Sequence, residues 1–175
     1  MKRIFGAILL ALYLVLVYQK TQADLAAELF WLSHVTSAML ALGLLARVRL
    51  MIATGFLFHL AVALPAYVFY LATGGETSTV SFLLHLLSPL FGAVVYWRAR
   101  LPRVALMFAY LTYAVVMSAT LAFTPPAMNV NAAFQPWVPL PLSGVWALQL
   151  FNALQMLAQT GAAFFLWNRL ARTPT

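Results

Sequence analysis

Residues 80 to 96 read VSFLLHLLSPLFGAVVY, a run without one charged side chain. A helix that crosses a bilayer needs about 20 predominantly apolar residues. The chain divides into six segments of this kind, at about 4–18, 25–46, 50–71, 80–97, 104–123 and 145–167. Of its 175 residues 65% are hydrophobic and 7% are charged, whereas a soluble domain carries about 25% charged residues. So few charges cannot cover a water-facing surface of this size, so the solvent for most of it is lipid. The expected fold is an all-α integral membrane protein, six transmembrane helices in one bundle and one domain over residues 1–175.

The ten Lys and Arg residues outnumber the three acids. They fall in pairs and triplets between the apolar runs, not along one face, which argues against a nucleic-acid surface. With the N-terminus inside, Lys2, Arg3, Arg47, Arg49, Arg98, Arg100, Arg103, Arg169 and Arg172 all lie on the cytoplasmic side, and Lys20 lies outside. The positive-inside rule then puts both termini in the cytoplasm of a bacterial or archaeal cell, with the chain in its cytoplasmic membrane. Tyr96, Trp97 and Trp167 mark the inner interface; Tyr18, Trp137 and Trp146 mark the outer one. Met1-Lys2-Arg3 and a small residue at Ala23 imitate a signal peptide, but residues out to Tyr18 bring the first segment to spanning length, and it is read as a retained helix. Asp24 and Glu28 are read as N-terminal charges favoured by the dipole of the second helix. There is no cysteine, which excludes disulfides and thiolate metal sites.

The run that opens this section contains His85, and its sequence context recurs. WLSH ends at His34, FLFH at His59 and FLLH at His85, and these are the only histidines. Residues three, four and seven apart share a helix face. On that basis Ser37 accompanies His34, Gly55 and Ala63 accompany His59, and Ser81, Ser88 and Gly92 accompany His85. Small and polar stripes of this sort let membrane helices approach closely, so the histidines are expected to face the bundle interior. The sixth segment adds Gln149, Asn152, Gln155 and Gln159 on one stripe. Buried amides without partners cost several kcal/mol in hydrocarbon, so they must meet other groups, water or a ligand. At about 1.5 Å per residue from the outer helix ends, His85 lies roughly 8 Å deep, His34 about 14 Å, His59 about 19 Å, and the amides about 8 to 22 Å.

Histidines and amides therefore overlap in depth, and Pro65 and Pro89 interrupt backbone bonding nearby. The leading expectation is an outward-facing polar pocket that binds or conducts a small uncharged solute, alone or as a subunit of a larger membrane complex. Its candidate residues are His34, His59, His85, Ser37, Ser81, Ser88, Tyr110, Gln149, Asn152, Gln155 and Gln159. The loop at 124–144, with five prolines, is neither helix nor sheet interior; it is either a lid at the outer mouth or a connection lying on the headgroups.

Haem b is the alternative, held by neutral imidazoles on two helices. His34 and His85 on alternate helices, with Ser37 and Ser88 three residues on, resemble the arrangement in membrane b-type cytochromes. That resemblance implies a second histidine pair, and here an offset of 51 residues from His59 lands on Tyr110, so one haem at most is implied. A three-histidine metal site requires helices that place all three rings at one depth. The remaining alternative is a structural or assembly subunit without a ligand. The motifs of soluble enzymes, such as Gly-x-Ser-x-Gly and His-Glu-x-x-His, are missing, so an enzyme is not the expectation.

Overall fold

The computed structural model describes residues 1–136, 141 and 144–171; Trp137 and Arg172, used above to orient the chain, lie outside the described residues. The long helices are α1 (Lys2–Gln22), α2 (Leu32–Ala46), α3 (Arg49–Ala72), α4 (Thr79–Val95), α5 (Arg103–Phe123) and α6 (Val145–Leu170). No strand occurs among the described residues.

Three helices, α1, α3 and α5, are long and apolar enough to cross a membrane. At 1.5 Å per residue, the 15 residues of α2 and the 17 of α4 reach only about 23 and 26 Å. The 26 residues of α6 are ample in length, but its amide stripe keeps it out of the apolar class. Large apolar side chains such as Leu14, Met107, Leu111, Leu154 and Phe165 point outward on these helices, a surface that suits hydrocarbon and not water.

The core is built around α2 and the first half of α3. Leu40, Leu44, Ile52, Phe56 and Phe58 are fully enclosed there. Helix α1 lies along α2 because Gly6 presents no side chain: a Cβ there would sit 2.8 Å from the carbonyl oxygen of Ala41 and 2.9 Å from the Leu45 nitrogen. Asn168 of α6 ties down the connection between α4 and α5. Its Oδ1 accepts from the Leu101 N–H (2.7 Å) and its Nδ2 donates to the Leu101 carbonyl (3.2 Å).

Two departures from regular helix position the site. Helix α3 consists of α-helical segments Arg49–Phe58 and Leu64–Ala72 joined by a π-helical turn, His59–Ala63. Pro65 has no N–H for the carbonyl of Ala61 and its ring crowds that oxygen, and a widened turn relieves both. The second departure corrects the reading of one continuous helix over 25–46. Residues Ala26–Phe30 form a 3₁₀ turn, Trp31 is extended (φ −54°, ψ 128°), and α2 starts only at Leu32.

The broken hydrogen bonds are replaced by a side chain from far along the chain. Asn131 Oδ1 accepts from the Leu32 N–H (2.7 Å), and its Nδ2 donates to the Phe30 carbonyl (2.8 Å) and to Thr120 Oγ1 (3.0 Å). The acids are also relocated by this break. Glu28 pairs with Lys20 at the end of α1, and Asp24 occupies a left-handed turn (φ 57°), so neither caps α2.

Residues 126–136 do not simply lie across the helix ends. They form short 3₁₀ turns, Pro126–Met128 and Val130–Ala132, in which Val130 and Ala133 are fully buried. Asn129, in the left-handed region (φ 43°), holds the turn closed, its Oδ1 accepting from the N–H groups of Phe134 (3.0 Å) and Gln135 (2.8 Å).

Candidate functional site

A cavity of about 570 Å³ opens at the end of the molecule that carries this loop. Its walls are the C-terminal part of α3, the first turns of α2 and α4, the middle of α5 and one face of α6, and Asn131, Ala132 and Pro136 cap it.

Two histidines stand in its wall. His34 is 5% exposed and His85 is 7% exposed, with ring centres 6.1 Å apart and planes at 70°. The carbonyl of Glu28, in the turn before α2, accepts both from the Trp31 N–H (3.0 Å) and from His34 Nδ1 (2.9 Å). On α4, which Ser78 caps by accepting from the Ser81 N–H (3.2 Å), the Ser81 carbonyl accepts from His85 Nδ1 (2.8 Å). A carbonyl oxygen only accepts, so a neutral ring carries its proton on Nδ1 and leaves Nε2 as a bare acceptor. Neither Nε2 has a hydrogen-bond partner among the described residues. Tyr67 stacks on His85 at 3.8 Å and 9°, and its hydroxyl meets Thr77 Oγ1 at 2.5 Å. The His85 ring is thereby held from one face and one edge.

His59 has a different position. It is fully buried, and its Nδ1 donates to the Gly55 carbonyl (2.9 Å). Its Nε2 accepts from Ser37 Oγ (3.0 Å), which in turn meets Ser88 Oγ (3.2 Å). Both ring nitrogens are satisfied behind the cavity wall, at the junction of α2, α3 and α4. Ser37 and Ser88, which helix spacing pairs with His34 and His85, serve His59 instead.

The amide stripe also divides. Gln149 Nε2 donates to the Ala133 carbonyl (2.6 Å) and Asn152 Nδ2 to the Ala132 carbonyl (3.2 Å), so the pair nearer the loop anchors it. Asn152, Gln155 and Gln159 line the cavity, and neither glutamine bonds to another described residue. Ser81 lines it as well; Tyr110 does not, and its hydroxyl donates to the Leu157 carbonyl (3.4 Å). No group of three or more His, Cys, Asp or Glu side chains comes together as a metal site among the described residues.

Several lining residues carry no sequence signal that marks them. Trp31, Tyr67 and Tyr113 read as ordinary membrane aromatics, yet all three line the cavity. The Tyr113 hydroxyl is enclosed and has no partner. Asn131 is one of several polar residues in a proline-rich stretch and carries no mark of its own. Charge is confined to the rim, where Lys20 is engaged by Glu28 and Glu76 lies on the loop before α4. No protein-family model, curated protein or solved structure matches the chain.

Proposed function

We propose that the chain crosses the membrane six times as one bundle, with both termini inside, and that its outward-facing pocket binds a small uncharged solute, alone or within a larger membrane complex. The observation that carries this reading is the pair of bare imidazole nitrogens of His34 and His85, facing a cavity that also receives the Gln155 and Gln159 side chains. A pocket with a few convergent polar groups in an otherwise apolar wall is the usual form of a small-molecule site. The groups deep in it are amides, hydroxyls and imidazoles, which recognise dipoles without demanding a counter-charge. Short α2 and α4 fit the crossing because the 3₁₀ turn and the loops at their ends complete the span, and irregular backbone is tolerated at depth where it lines a cavity.

Thermal unfolding of the purified protein in mild detergent, screened against neutral solutes, tests this. A solute at 100 times its Kd stabilises by about 2.7 kcal/mol, and that shift is expected to disappear in His34→Leu and Gln155→Leu. No shift with any solute, and equal stability of all three proteins, would leave a structural subunit as the better account.

One observation favours b-type haem as the second reading. With metal–nitrogen bonds of about 2 Å, two imidazoles flanking one metal stand about 6 Å apart centre to centre, and the rings of His34 and His85 are 6.1 Å apart. Their Nδ1–carbonyl bonds are also the outer-shell contacts that ligating histidines make. The reading ranks second because two haem propionates need cations. Lys20, already paired with Glu28, is the one cation lining the cavity among the described residues. Oxidised and dithionite-reduced spectra after haem-replete expression decide it: a Soret band lost in both His34→Leu and His85→Leu would put haem first, and no Soret band removes it.

A further inference from the structure

We propose that the solute is an uncharged aromatic ring bearing hydroxyl donors, a phenol or hydroquinone, whose O–H groups are accepted by Nε2 of His34 and His85. This rests on the pocket reading above and narrows it.

The direction of the hydrogen bonds limits what the cavity can accept. Both rings are fixed by Nδ1–H donation to the carbonyls of Glu28 and Ser81, so in neutral form the two groups they offer the cavity are acceptors. Neither has a protein donor opposite it among the described residues. A ligand that brings only acceptors, such as a ketone, ether or quinone, finds donors in the amides of Gln155 and Gln159 but leaves both imidazole nitrogens unpaired. Buried groups left unsatisfied in this way are costly. The ligand must therefore donate.

Charge and shape narrow the class further. A cationic donor would need a carboxylate beside it in the depth of the cavity; Glu28 is committed to Lys20, and Glu76 is exposed on the rim loop before α4. A sugar or other polyol needs polar partners on most sides, whereas Trp31, Phe58, Tyr67, Phe151 and Met156 supply much of this wall. Those groups suit a flat ring, and Tyr67 stacked on His85 already provides an aromatic face beside an acceptor. A cavity of about 570 Å³ has room for a substituted ring.

The test exchanges donors for acceptors on one ring skeleton. Full-length protein in nanodiscs of neutral lipid is titrated anaerobically by calorimetry with tetramethylhydroquinone, its dimethyl ether, and tetramethylbenzoquinone. Sites built to pair with a substrate hydroxyl discriminate strongly against analogues that lack it, and the hydroquinone is expected to bind at least about tenfold tighter than either analogue. His85→Leu should erase that preference.

Equal binding of all three, or tighter binding of the quinone, overturns the donor inference while the pocket stands, provided Gln155→Leu weakens binding. If none of the three binds but an aliphatic neutral solute shifts thermal unfolding, the aromatic class is wrong and the pocket again stands. If nothing binds in either experiment, both readings fall. The wild-type comparison among the three ligands needs no variant, so a misfolded His85→Leu does not blunt it.

Discussion

Asn131→Leu is expected to release residues 126–136 from the end of the molecule and to destabilise the fold. One amide serves the Leu32 N–H, the Phe30 carbonyl and Thr120 Oγ1. Thr120 keeps its bond to the Val116 carbonyl (2.9 Å), but the two backbone groups are orphaned, at about 1–3 kcal/mol each. Hydrogen exchange read by mass spectrometry should show faster exchange of the Leu32 amide and of the amides across 130–135, with α5 and the Arg49–Phe58 segment of α3 unchanged. Asn131→Asp keeps an acceptor for Leu32 and loses the donor, so its effect should be intermediate. Unchanged exchange at Leu32 in Asn131→Leu would show that Asn131 does not splice the break.

Gly6→Leu is expected to separate α1 from α2. The new side chain would start 2.8 Å from the Ala41 carbonyl oxygen and 2.9 Å from the Leu45 nitrogen. These are backbone atoms of a packed helix, so no rotamer change relieves the clash and α1 itself must move. Overpacking of this kind costs about 1–3 kcal/mol, occasionally more, and a lowered midpoint of thermal unfolding in detergent is the readout. Gly161→Ala is the matched control. Its Cβ would find only Tyr110 Oη, at 3.8 Å, and helix propensity alone favours Ala by up to about 1 kcal/mol. If Gly6→Leu unfolds no earlier than Gly161→Ala, close contact along α1 and α2 is not what holds α1.

The two variants separate what the sequence announces from what it conceals. Apolar length locates α1, α3 and α5, because span length is a local property of the chain. The close approach at Gly6 has only a faint local signature, since a glycine in an apolar run reads the same on either face of a helix. The break at Trp31 has none: the residue that makes it tolerable, Asn131, lies 99 positions beyond Leu32. The three histidines follow near-identical tetrapeptides, and helix spacing assigns each its own companions. What sorts them is register between helices, which places Ser37 opposite His59 and leaves His34 and His85 to face the cavity. The amide stripe was legible as a face. Its division into a pair that holds the loop and a pair that bonds to no described residue depends on where residues 132 and 133 return.

The wide turn in α3 also acts as a phase shift. At about 100° per residue, Tyr67 would stand about 80° around the axis from His59 in an unbroken α-helix. A π turn absorbs one extra residue, which brings the two to within about 20° of one another on that arithmetic. One side of α3 therefore addresses α4 twice. His59 reaches Ser88 through Ser37 at the lower level, and Tyr67 lies flat against His85 at the upper one. A single surplus residue thus sets the ring that orients a cavity histidine above the histidine that closes the core, so the core layer and the cavity layer are indexed to each other along one helix.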